Sequence, residues 1–165
     1  ILFDGSQVKF NAEISLAADA KYVGWEILCF GRQAQQELWK TGSLHQALTI
    51  RREKALIWNE RTCLKPDQAL IQSIVGLNDN AVSAIFIIAA GIVPSSVLDA
   101  CREIQPKLAL DLDANYGITA LPEIFAARYV GQSSQSARHY FEALWHILRP
   151  WYAGREMTRP RIWNT

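Results

Sequence analysis

Val8-Lys9-Phe10-Asn11-Ala12-Glu13-Ile14-Ser15-Leu16 is the stretch from which the fold class is read. Val8, Phe10, Ala12, Ile14 and Leu16 fall on one side, and Lys9, Asn11, Glu13 and Ser15 on the other. Strict period two means a strand with one covered and one wet face. Asp4-Gly5-Ser6, just ahead of it, is a turn signal.

The same reading extends outward. After a short loop over residues 17–21, residues 22–30 (Tyr-Val-Gly-Trp-Glu-Ile-Leu-Cys-Phe) are nearly all apolar and Gly31 closes them. Such a run predicts a strand buried on both faces. Residues 44–52 and 55–64 read as a strand pair joined by a polar Arg-Arg-Glu-Lys stretch, and residues 83–90 as a further β-rich run. Then the period changes. Ser96-Val97-Leu98-Asp99 resembles a capping box and predicts a helix over 96–104, stopped before Pro106. Short strands are expected over 108–112 and 124–129. Ala137, Tyr140, Phe141, Leu144, Trp145 and Leu148 recur at helical spacing, predicting a helix over 135–148 that Pro150 ends. The fold class is therefore β-dominated α+β, with strands first and two helices late. No composition shift marks a domain boundary within the chain.

Composition narrows the function. A net charge of +1 lacks the basic excess of a nucleic-acid binder. Arg149, Arg155, Arg159 and Arg161 near the end read as an interface or a solvated surface. Six Trp favour a large core and interfaces, because the ring buries much area but its N–H needs a partner. Cys29, Cys63 and Cys101 are odd in number and form no CxxC pair, which predicts a reducing compartment, the cytoplasm. The longest apolar stretch, residues 81–94, is too short to span a bilayer, so no membrane partner is expected. No basic segment precedes a hydrophobic one, so no signal peptide is expected. The opening Ile1-Leu2-Phe3-Asp4-Gly5-Ser6 reads as a strand entering a turn inside a fold, which predicts a missing N-terminal part.

Catalytic signatures are absent from the sequence. There is no GxxxxGK[ST] phosphate loop, no GxGxxG after a strand, no GxSxG elbow and no HExxH. His139 and His146 lie seven apart on the last predicted helix, but no further metal ligands are close in sequence, so they read as surface histidines. Cys29 lies in a buried strand, where a thiol is inert without a base and positive charge beside it. No enzymatic activity is expected.

Three segments carry a resemblance. Ile1-Leu2-Phe3-Asp4-Gly5, then Gly24-Trp25-Glu26-Ile27-Leu28-Cys29-Phe30-Gly31-Arg32, then Arg149-Pro150 with Pro160-Arg161-Ile162-Trp163-Asn164-Thr165 are similar, in order, to segments of the UreD (UreH) family. The likeness spans all 165 residues. It implies that residues 1–165 are one domain lacking its N-terminal part, which in the family includes a Gly-Gly-Asp segment. It also implies an elongated, superhelical stack of mostly antiparallel strands with two helices in the C-terminal half. The implied function is a non-catalytic urease accessory scaffold that binds urease apoprotein and UreF. UreF in turn recruits UreG, which delivers Ni²⁺ for the nickel metallocentre. No cofactor is implied to be stably bound; Ni²⁺ would only pass through.

A conduit for Ni²⁺ needs weak, exchangeable ligands, because strong sites trap the ion and an apolar tube rejects it. Glu26 and Glu60, both inside strand-like apolar segments, are the candidates, and the resemblance favours them because the matching family positions are acidic. A carboxylate in such a strand must be paired or hydrated. The structural alternative for Glu60 is an ion pair with Arg61, Arg52 or Arg32. For Glu26 it is a hydrogen bond to a neighbouring strand or to a Trp N–H. Arg161-Ile162-Trp163 looks anchored rather than frayed, either packed back on the sheet or forming a partner surface. Two further functions compete with the scaffold: a generic β-rich protein-interaction module without a metal role, and a hydrolase.

Overall fold

The computed structural model describes residues 1–105 and 113–164, without the side chains of Trp163 and Asn164. The period-two segments become strands. These are β1 (Gln7–Leu16), β2 (Tyr22–Cys29), β3 (Ser43–Arg52), β4 (Ala55–Leu64), β5 (Val82–Ala89), β6 (Asn115–Ala120) and β7 (Ile124–Gly131). Three α-helices accompany them: α1 (Ala69–Gln72), α2 (Ser95–Arg102) and α3 (Ser134–Ala153). The strand expected over 108–112 lies outside the described residues. Neither β6 nor α1 was foreseen. β6 has only one strongly apolar inward residue, Ile118, and α1 is a single turn.

Two sheets form, β1-β3-β4 and β2-β5-β7-β6. β2 leaves for the second sheet, so β3 returns alongside β1 in the same direction. Their ladder is parallel, from Gln7↔Ser43 to Leu16↔Arg52. The other four described strand pairings are antiparallel. The sheets face one another, and α2 and α3 cover the far side of the four-stranded sheet.

Alternation then sorts the side chains between layers. On β2, Val23, Trp25, Ile27 and Cys29 turn to the helices, while Tyr22 and Leu28 turn to the three-stranded sheet. Both faces of β2 are covered as expected, but it is an edge strand, so within it only Leu28 is buried. The main core lies on the helix side, where Trp25 packs 5.3 Å from Phe86 and 6.2 Å from Phe141, centroid to centroid. Between the sheets the apolar contacts split into two clusters. One holds Leu28, Phe30, Trp39, Leu44 and Leu64, and the other Leu16, Ile50, Ile87, Ile124 and Ala126.

Two helix ends differ from expectation. α2 takes Pro94 as its N-cap with no side-chain cap, so Ser96 and Asp99 make no capping box. Asp99 instead lies 3.5 Å from Arg102. α3 runs through Pro150 and stops at Gly154, which has φ 61° and donates its N–H to the Pro150 carbonyl at 3.0 Å. Proline's fixed φ is helical, and in the last turn its missing N–H forfeits a single bond. The left-handed glycine provides the stop.

Candidate functional site

Between the two apolar clusters, the intersheet layer carries a polar row. On the four-stranded sheet Glu26, Ile85 and Arg128 lie side by side, since Glu26 pairs with Ile85 and Ile85 with Arg128. On the facing sheet, Gln46 on β3 and Glu60 on β4 occupy inward positions between Leu44 and Ile50 and between Leu64 and Trp58. Glu26, Gln46, Glu60 and Arg128 all line one cavity of about 70 Å³, together with Thr62, Ile85 and Tyr129. A second cavity, of about 280 Å³, lies toward β1 and is lined by Phe10, Ala12, Tyr22 and Leu48. The two share Glu26, Gln46 and Ile85 as a common wall.

Glu26 and Glu60 thus meet in one space, and each has a protein donor. The side-chain amide of Gln46 donates to Glu26 Oε2 across the gap between the sheets. Arg128 donates from Nη2 to Glu60 Oε1 at 2.9 Å, and its guanidinium lies 5.6 Å from the Trp58 ring centroid. Burial, and then the negative charge of Glu60, push the Glu26 carboxyl above the usual carboxylate range. Burial, and then Glu26, raise the Tyr22 phenol as well.

The partners differ from those foreseen. Arg61 follows Glu60 directly, so alternation sends it to the opposite, exposed face. Arg52 pairs instead with Glu123 at 3.0 Å, and Arg32 pairs with Glu37. For Glu26 the donor is Gln46 on the facing sheet rather than a strand neighbour or a Trp; Trp39 and Trp58 bury Nε1 without an acceptor. The signal for Gln46 and Arg128 was present but unread: each is a polar residue at an inward position of an apolar alternation.

The family model described as the UreD urease accessory protein matches residues 1–164. The chain belongs to the UreD family. Relatives named urease accessory protein UreD share 54% identity over 165 residues in Methylobacillus flagellatus, 39% over 168 in Dechloromonas aromatica and 37% over 165 in Azoarcus sp.. Each match covers all of this chain and 56–57% of the relative. The chain therefore spans little more than half the length of the UreD proteins it matches.

The remaining candidates of this UreD chain lie apart from the cavity. His139 and His146 are on α3, half-buried and exposed respectively, and His45 is on the outer face of β3. Among the described residues no group of three or more His, Cys, Asp or Glu is placed to hold a metal ion. All three cysteines are free; Cys29 packs against the helix-side core, Cys101 is buried and Cys63 is exposed. Of the basic tail, Arg149 lies over the Trp145 ring at 4.8 Å and Arg159 reaches Glu142 at 3.5 Å, so both lean on α3. Arg161–Asn164 form a 3-10 turn in which Ile162 is 74% exposed. Among the described residues no helix is long and apolar enough to cross a membrane.

Proposed function

We propose that the chain is part of a non-catalytic cytoplasmic scaffold that binds urease apoprotein and UreF, meets UreG through UreF, and lets Ni²⁺ pass during assembly of the urease metallocentre. The two facing sheets would be a segment of an elongated superhelical stack completed by the rest of the protein. Ni²⁺ is cargo here, with no cofactor stably bound. The observation that carries the reading is the meeting of Glu26 and Glu60 in a polar row between the sheets, with space on either side of Glu26. Two carboxylates already engaged by protein donors offer hard oxygen ligands to a divalent ion without closing a full coordination sphere around it. Exposed Leu70, Ile74 and Val75, at and after α1, add an apolar surface of the kind that docks another protein.

The test is Glu26→Ala and Glu60→Ala in the full-length protein, with two readouts: recovery of the complex with UreF and urease apoprotein, and nickel per urease active site. The path predicts normal complex with low nickel. Loss of the complex would make the carboxylates structural, since truncating one partner of a buried ion pair costs about 3–5 kcal/mol and a half-exposed pair less. Normal complex with normal nickel would leave a protein-interaction module and remove both residues from any route.

A further inference from the structure

We propose that Arg128 is the latch of this carboxylate pair: it occupies Glu60 when no cargo is present, yields it only to a divalent cation, and hastens that cation's departure. The proposal rests on the nickel-path reading and adds the residue that makes passage transient and selective.

Arg128 is placed for this by its register. It lies two strands from Glu26 in the same row, with Ile85 between, and its guanidinium reaches Glu60 on the facing sheet at 2.9 Å. A cation entering between the carboxylates must take Glu60 from the guanidinium. The grip on Arg128 is weak: its side chain is 51% exposed, that of Glu60 26%, and an ion pair this wet is worth little. The ring of Trp58, 5.6 Å from the guanidinium, gives the displaced group a second seat beside Glu60.

Charge then sets the selectivity. A monovalent ion brings no more charge than the guanidinium and gains nothing by replacing it. A divalent ion brings twice the charge to the same carboxylates. Once that ion is seated, the guanidinium over Trp58 stays close enough to repel it. Among the described residues, Glu26, held by Gln46 and neighboured by Tyr22, has no cation of this kind in its own row other than Arg128.

The experiment titrates Ni²⁺ into the full-length protein, by calorimetry or against a chromogenic chelator, for wild type, Arg128→Gln, Arg128→Lys, Glu26→Gln and Glu60→Gln. Arg128→Gln is expected to bind Ni²⁺ about two- to fivefold more tightly than wild type, the factor a partly exposed ion pair is worth. Arg128→Lys, which keeps the charge but loses the fork, should fall between the two. A purely structural Arg128 predicts unchanged or weaker binding. That result, with Glu60→Gln still weakening Ni²⁺, overturns the latch and leaves the path standing. If Arg128→Gln fails to fold, Arg128→Lys decides, and an affinity no higher than wild type overturns the latch. Wild-type affinity in both Glu26→Gln and Glu60→Gln would instead remove the path itself, and the latch with it.

Discussion

Gln46 on β3 and Glu26 on β2 are joined by a side-chain hydrogen bond that crosses from one sheet to the other. It sits where both intersheet cavities share a wall, with an apolar cluster on either side along the strands. The bond therefore ties the sheets together at the polar row, where apolar burial does not.

A pH-dependent stability follows from Glu26. Its carboxyl is raised, first by burial and then by Glu60. A raised carboxylate contributes stability that is full below its ordinary pKa of about 4.3 and is lost as pH rises through the elevated folded value. Glu26→Gln, which stays neutral, should melt close to wild type at about pH 4 and above it at neutral pH. Melting temperatures of the full-length pair across that range check the sign; a constant gap would refute it.

Asp4 behaves in the opposite sense. Its Oδ1 accepts from the backbone N–H groups of Thr41 at 2.6 Å and Lys40 at 2.8 Å, from the Thr41 hydroxyl at 3.0 Å and from Gly5 at 3.1 Å. The backbone donors of Thr41 and Lys40 are the main reason its carboxyl lies below the usual range. That contribution is present above the ordinary pKa of about 3.9 and disappears as pH falls through the lowered value. Asp4→Asn should lower the melting temperature at pH 7, with the gap closing in strong acid.

Gly31 and Gly117 should respond differently to alanine. Gly31 has φ +83°, and an added Cβ would stand 2.1 Å from the Glu37 carbonyl oxygen, so backbone must move. The left-handed conformation alone costs an L-residue about 1–2 kcal/mol, and the clash adds to it. Gly117, on the edge strand β6, has no atom within 4 Å of such a Cβ. Urea unfolding of both variants is the measurement, and equal losses would show the contact at Gly31 to be relieved cheaply.

Thiol reactivity should follow burial. Burial pushes the Cys101 thiol up to about 12 and leaves it 0% exposed, whereas Cys63 lies exposed on the outer face of β4. Brief iodoacetamide treatment of the folded protein, mapped by mass spectrometry, should label Cys63 and spare Cys101 until denaturant is added. Early labelling of Cys101 would mean that the packing of α2 on α3 opens readily.

Alternation along residues 8–16 foretold which side chains of β1 face inward, and Leu16 is indeed buried. Phe10 remains 43% exposed because the gap between the sheets opens beside it. The helical spacing from Ala137 to Leu148 likewise named the buried face of α3. Glu26 and Glu60 stood out as acids in apolar strands, but their donors did not. Arg61 was the near choice in sequence for Glu60 and lies on the wrong face, whereas Arg128 is 68 residues away and meets it.

The sequence by itself determined every strand but β6, the long helix, the inward faces and the family, because side-chain direction repeats with the local backbone and motifs are contiguous. Only the tertiary structure decided that β1 and β3 run parallel, that Pro150 stays inside α3, and that Gln46 and Arg128 hold the two carboxylates. Those outcomes depend on which strands share a sheet and how two sheets face each other. That is set by the burial of distant segments against one another, which no local spacing encodes.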